Sequence, residues 1–254
     1  MVRGLNKFKT YFKDYTNNYV IIGGTACDII IEDASLVSRV TKDIDIILVV
    51  EALTPEFIAQ FWGFIKEGNY ERQEKSADER NYYRFIKPAD EEFPKQVELF
   101  SRTPDTIDLE QGAHLTPIPV DDDLSSLSAI LLDDTYYNYM VEHSRIEGDV
   151  HFANTEALMC LKAKAYLEIE QRIADGGSED KKNLRKHKGD VFRLAVLMTG
   201  EERFDLPDPI KMHFQTFMAK VKEDLPQKSI FKEMGAPNVS IENLYTTIMT
   251  IFNL

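Results

Sequence analysis

The apolar positions of the chain change rhythm near Asn154. Before it, short apolar runs alternate with amphipathic segments. After it, the spacing is helical. Leu5, Phe8, Tyr11 and Phe12, at i, i+3 and i+4 intervals, predict an amphipathic helix over 4–16. Tyr19-Val20-Ile21-Ile22 reads as a buried strand running into Gly23-Gly24. Thr25 and Asp28 have the spacing of a capping box, which predicts a helix with Thr25 as N-cap. Thr41 to Val50 reads as a strand with Ile44, Ile46, Leu48 and Val50 on one face and Asp43, Asp45 and Ile47 on the other. Thr54-Pro55-Glu56 opens a helix over 55–67, whose Phe57, Phe61, Trp62 and Phe64 read as core rather than as a base-stacking platform. Strands are predicted over Tyr82–Lys87 and Gln96–Phe100, and Ile130–Tyr139 and Val150–Phe152 read as strands or a hairpin. A long helix from Thr155 to about Ile173 follows, then a break at Gly176-Gly177 and a second helix capped by Ser178 with Glu179 and Asp180. Residues 205–254 read as two or three helices. The fold class is therefore α/β (α+β), a mixed sheet with flanking helices over 1–153 and a C-terminal helical domain over 154–254.

Several positions carry chemistry. Paired glycines after a strand let the backbone turn sharply and come close to a ligand, and the N–H groups of a helix starting there make a phosphate site in principle. Asp43 and Asp45 lie roughly 7 Å apart along an extended strand. Two unpaired carboxylates in an apolar strand repel and are costly to bury, and an oxygen-seeking Mg²⁺ pair removes that cost. The other reading of the pair is a strand end facing water. Arg39 and Lys42 flank the aspartates and either contact phosphate oxygens or only offset the local negative charge. Lys162 falls near the middle of the apolar stripe of Leu158, Leu161, Ala165 and Ile169, where an ammonium either snorkels to water or meets an anion. Lys164 falls on the far side of that helix. His187 and Asp190 lie within or beside the next stripe, Val191, Leu194, Ala195 and Met198, and Gly189 sits inside the helix at a cost of about 1 kcal/mol against Ala. Asp121-Asp122-Asp123 reads as a solvated loop. His114, His143 and His151 lack zinc spacing and are expected to be structural or exposed.

Gly23-Gly24-Thr25, a helix, and Thr41-Lys42-Asp43-Ile44-Asp45-Ile46 resemble the signature of the polymerase-β-type nucleotidyltransferase superfamily, and within it the branch grouped with bacterial AbiE-type toxins of abortive-infection systems. The resemblance covers roughly residues 18–195. It implies that the glycine turn holds a nucleoside triphosphate and that Asp43 and Asp45 bind Mg²⁺, two ions, with Mn²⁺ as an alternative. It implies a third carboxylate on a later strand, and Glu98 in Gln96-Val97-Glu98-Leu99-Phe100 is the residue of that kind. Leu161 to Tyr166 and Lys186 to Leu194 resemble the helical Lys and the basic-plus-Asp motif with which this branch completes the nucleotide site, so Lys162, His187 and Asp190 join the expected contacts. The acceptor it implies is an RNA, a tRNA end among them, or a protein side chain, and a toxin role would bring an antitoxin protein as partner.

Composition narrows this. At 254 residues, the chain has room for one large domain or two modest ones. A net charge of −13 argues against an extended grip on nucleic acid, though not against a local basic pocket. Cys27 and Cys160 lie in apolar helical patterns and read as reduced core residues. No signal peptide and no apolar run near the roughly 20 residues of a membrane helix is found, so a cytoplasmic, non-membrane protein is expected.

Overall fold

The computed structural model describes residues 2–39, 41–72, 82–100, 133–177 and 180–254. Among them, seven strands form one mixed sheet in the order β3-β4-β5-β2-β1-β7-β6. These are β1 (Tyr19–Ile22), β2 (Asp43–Leu48), the two-residue β3 (Glu71–Arg72), β4 (Tyr82–Ile86), β5 (Gln96–Phe100), β6 (Ser144–Glu147) and β7 (Val150–Ala153). β2 runs parallel to β5 and β1 parallel to β7, and the other pairs are antiparallel. The helices are α1 (Leu5–Phe12), α2 (Gly23–Asp33), α3 (Pro55–Glu67), α4 (Asp134–Glu142), α5 (Thr155–Ala174), α6 (Lys181–Ala195), α7 (Asp208–Val221), α8 (Ser229–Glu233) and α9 (Ile241–Ile251).

Alternation along the strands sorts the two faces of the sheet. Ile21, Ile46, Leu99 and Phe85 share one face, and α1 and α3 cover it with an aromatic layer. In that layer, Phe8 meets Tyr19 edge-on at 5.2 Å and Phe61 meets Phe85 at 5.7 Å. Phe57, Phe61, Trp62 and Phe64 are thus core. The opposite face carries Asp43, Asp45, Gln96, Glu98 and Arg84. α2 packs against β1 and β2, and α5 and α6 lie against α2. A single apolar cluster runs from Val2 to Phe252, so the core does not break at residue 153.

Several expectations change. The first helix ends at Phe12, and Lys13–Asn18 continues as a 3-10 turn. α2 opens three residues earlier than the capping box implied, with Ile22 at its N-cap. The Thr25 hydroxyl instead donates to the Asp43 carbonyl at 2.6 Å, and the Asp28 carboxylate accepts from the Thr41 N–H at 2.6 Å. Both residues spend their hydrogen bonds tying α2 to β2, because β2 lies alongside the helix and offers unpaired backbone groups. The β2 strand is shorter than expected at both ends. Part of the expected strand over Ile130–Tyr139 is helix α4, capped by Asp133, whose carboxylate accepts from the Thr135 and Tyr136 N–H groups. Its Tyr136, Tyr137, Tyr139 and Met140 are buried at helical spacing, which outweighs the strand propensity of tyrosine. Val150–Phe152 is the second strand of the β6–β7 hairpin. Asp180, expected in the cap of α6, is its N-cap; Ser178, Glu179, His114 and Asp121-Asp122-Asp123 lie outside the described residues. The tail is the three helices α7, α8 and α9.

Candidate active site

The site forms where β1 turns into α2. Gly23 has φ +68°, and a Cβ placed there would run into Asp45 Oδ2, so only glycine allows the turn to close on the aspartate. A Cβ at Gly24 would lie 2.6 Å from Thr41 Oγ1. The first turn of α2 is thereby laid directly beside the Asp45 carboxylate, with no side chain capping it.

Parallel pairing of β2 and β5 puts Asp45 opposite Glu98 and Asp43 opposite Gln96 on the same face. Burial, then the charge of Glu98, raises the Asp45 carboxyl well above its ordinary value, against the pull of Lys162 and Lys186. Asp43 is raised by the same two causes, burial first. Carboxyls strained in this way fit a divalent cation, whose charge would relieve both penalties. The third carboxylate already has hydrogen-bond partners. Glu98 Oε1 accepts from Arg84 Nε at 2.9 Å and from Gln96 Nε2 at 2.6 Å. Among the described residues, no three His, Cys, Asp or Glu side chains converge as a metal-ligand group. Asp43 and Asp45 offer the hard oxygen donors such an ion takes, and Glu98 Oε1 is already engaged by Arg84 and Gln96.

A basic cluster from the helical half faces the carboxylates. Lys162 does not snorkel: it is buried on α5 and pairs with the buried Asp190 of α6 at 3.5 Å. Arg39 reaches the same Asp190 oxygen at 3.3 Å, and Arg193 meets the other at 3.5 Å. Burial works to raise the Asp190 carboxyl, but Lys162, Arg39, His187 and Arg193 outweigh it and leave it below its ordinary value. His187 is buried beside them, and burial, then Lys162, pushes its imidazole well below the usual range, against the pull of Asp190. Lys186 is lowered by burial and by the neighbouring cations. Lys42 is exposed, and its carbonyl accepts from the Lys95 N–H at 3.1 Å.

The fold therefore brings together Gly23, Gly24, Thr25, Asp43, Asp45 and Glu98 on the sheet side, and Arg39, Lys162, His187 and Asp190 on the helical side. Lys42 stays at the rim. Sequence reasoning missed Lys186 and Arg84 as site residues. Lys186 stands one helical turn before Asp190, a spacing that could have flagged it. Arg84 had no such signal, because only pairing of β4 with β5 sets it opposite Glu98.

The remaining candidates are structural in form. His143 Nδ1 lies 3.2 Å from Glu156 Oε1, and His151 bridges Ser144 and the Thr16 carbonyl. Lys164 pairs with Glu168 at 2.7 Å. Cys27 and Cys160 are buried free thiols, and burial pushes Cys27 up to about 12. Among the described residues, no helix is long and apolar enough to cross a membrane. In comparisons with known proteins, no family model, no curated protein and no solved structure matches this chain.

Proposed function

We propose that the chain is a metal-dependent nucleotidyltransferase that moves NMP from an NTP to a hydroxyl of an RNA or protein; a toxin role, with a partner antitoxin, would follow from the AbiE-type resemblance alone. The observation that carries this reading is the juxtaposition of Asp43, Asp45 and Glu98 on one face of two paired strands, beside a glycine turn that only Gly23 can make. The buried cations on α5 and α6 support it further.

In this mechanism the triphosphate lies against the first turn of α2, where backbone N–H groups receive its oxygens. Lys162, Lys186 and Arg39 neutralise its phosphates. Asp43 and Asp45, joined by Glu98, would hold Mg²⁺ or Mn²⁺, which supplies charge stabilisation for the entering and leaving oxygens. The acceptor oxygen forms a bond to the α-phosphorus, the bond to the β-phosphate oxygen breaks, and pyrophosphate leaves with that electron pair. The hydroxyl proton passes to the carboxylate of Glu98. Asp190 keeps Lys162 and Arg39 oriented without touching the substrate.

A second reading is a nucleotide-binding regulator of the same fold that transfers nothing, and the Arg84–Glu98 pair favours it, since the third carboxylate is engaged. A transfer assay separates the two. Each α-labelled NTP is incubated with Mg²⁺, total RNA and cell protein, using wild type and the Asp43→Asn/Asp45→Asn variant. Label on RNA or protein that disappears in the variant is the expected result. Mg²⁺-dependent NTP binding without any label would select the regulator. Neither binding nor label would overturn both.

A further inference from the structure

Glu98 and its partner stand out because an ion pair occupies the one acidic residue the proposed chemistry needs as a base. Arg84 sits directly across from Glu98 in the β4–β5 ladder, so strand register places the two residues side by side. Arg84 Nε and Gln96 Nε2 both bond Oε1, at 2.9 and 2.6 Å. The Glu98 side chain is only 6% exposed, whereas that of Arg84 is 21% exposed. The arginine side chain is thus the more exposed partner of the pair.

Cations also gather on this side of the site. Against the burial and the Glu98 charge that raise Asp43, the opposing pull comes from Lys186, Lys95 and Arg84. Lys95 and Lys42 are exposed and joined through their backbones at the entry to β5 and β2. A phosphodiester approaching Asp43 meets this basic rim despite the acidic chain. A planar guanidinium exchanges a carboxylate for a phosphate at little geometric cost, because its donor fork matches both. A protein hydroxyl brings no such anion.

Resting on the nucleotidyl-transfer reading, we propose that Arg84 is an acceptor sensor: it withholds Glu98 until a phosphodiester of a nucleic-acid acceptor takes its guanidinium. Nucleotide and metal then bind in the absence of acceptor, while attack by water, which would release NMP and pyrophosphate, is suppressed.

The test uses the full chain with Mg²⁺ and α-labelled NTP, and follows NMP release with and without total RNA whose 3′ ends have been blocked by periodate oxidation. Blocked RNA offers phosphates but no 3′-terminal acceptor hydroxyl, so it is expected to raise hydrolysis by the wild type, with no label left on the RNA. Arg84→Gln is expected to hydrolyse NTP about tenfold faster than wild type without RNA, a modest part of what a freed general base can contribute. It should gain less than about twofold on adding RNA, and Arg84→Lys, which keeps the charge but not the fork, should fall between. Should the Gln variant fail to fold, the Lys variant carries the test. Basal hydrolysis unchanged in both variants, with RNA stimulation intact, would overturn the proposal. So would stimulation by RNA-free cell protein in place of RNA, which would give the protein-acceptor reading, and so would silence of every protein with NTP binding intact. Equilibrium dialysis of Mg²⁺–NTP reads the underlying site separately. Loss of binding in wild type would sink the nucleotide reading itself, independently of Arg84.

Discussion

At the scale of single residues, the site is a set of charges that stabilise one another only in combination. Asp45 shows the cost. Its carboxyl is raised by burial and by Glu98, so protonation favours the fold; the benefit is full at low pH and lost as pH rises through the raised value. Above that value, the ionised group destabilises the metal-free protein. Asp45→Asn is therefore expected to raise the melting temperature of metal-free protein at pH 7, with the gain vanishing in acid. Mg²⁺ should stabilise wild type by about 1–3 kcal/mol at saturation and leave the variant unchanged. Calorimetry with and without the ion checks both. Asp190 has the opposite sign, with its carboxylate serving Lys162, Arg39 and Arg193 together. Asp190→Asn strands the buried Lys162 ammonium and should cost about 3 kcal/mol in urea denaturation. Lys162→Met leaves Asp190 with two arginines, so it should cost the fold less while still weakening NTP binding.

At the scale of elements, the local rules were legible wherever a rule is local. Alternation in β2 separates Asp43 and Asp45 from Ile44 and Ile46 without any knowledge of neighbours, and the strand is built that way. The helical stripe of α5 puts Lys162 among apolar residues, and it is buried there. Thr25 and Asp28 were misread because their spacing satisfies a capping box equally well, and the presence of β2 decided where their hydrogen bonds went. Gly189 is a case where the helix carries a weak residue without steric need. A Cβ there would meet Arg193 Nη1 at 3.6 Å and Ile230 Cδ1 at 3.7 Å, which is ordinary contact. Gly189→Ala should stabilise the protein by about 0.5–1 kcal/mol, read from the same urea curves. A loss of stability instead would mean that the α6–α8 packing is tighter than this geometry.

At the scale of the whole molecule, the two halves distinguished by rhythm share one core. Leu158, Leu161 and Ala165 of α5 belong to the same apolar cluster as Ile21 and Ile22 of β1 and Ile30 of α2. A fragment of residues 1–153 would leave the α2 and α4 surfaces uncovered. It is expected to show no cooperative thermal transition, while the full chain unfolds in a single one. Circular dichroism melts of both distinguish this from two independently stable domains.

The sequence by itself determined the elements that bear the chemistry: a strand ending in a glycine pair, aspartates two apart on one strand face, and a lysine in an apolar helical stripe. These follow from periodicity and backbone sterics, which act over a few residues. Only the tertiary structure decided that Asp45 stands beside Glu98 and that Glu98 is taken by Arg84. It alone decided that Arg39, from the segment after α2, joins Lys162 and Arg193 around Asp190. Strand register and helix docking depend on burying the whole core at once. Contacts between residues on separate elements, from 14 positions apart for Arg84 and Glu98 to 151 for Arg39 and Asp190, therefore leave no trace in local spacing.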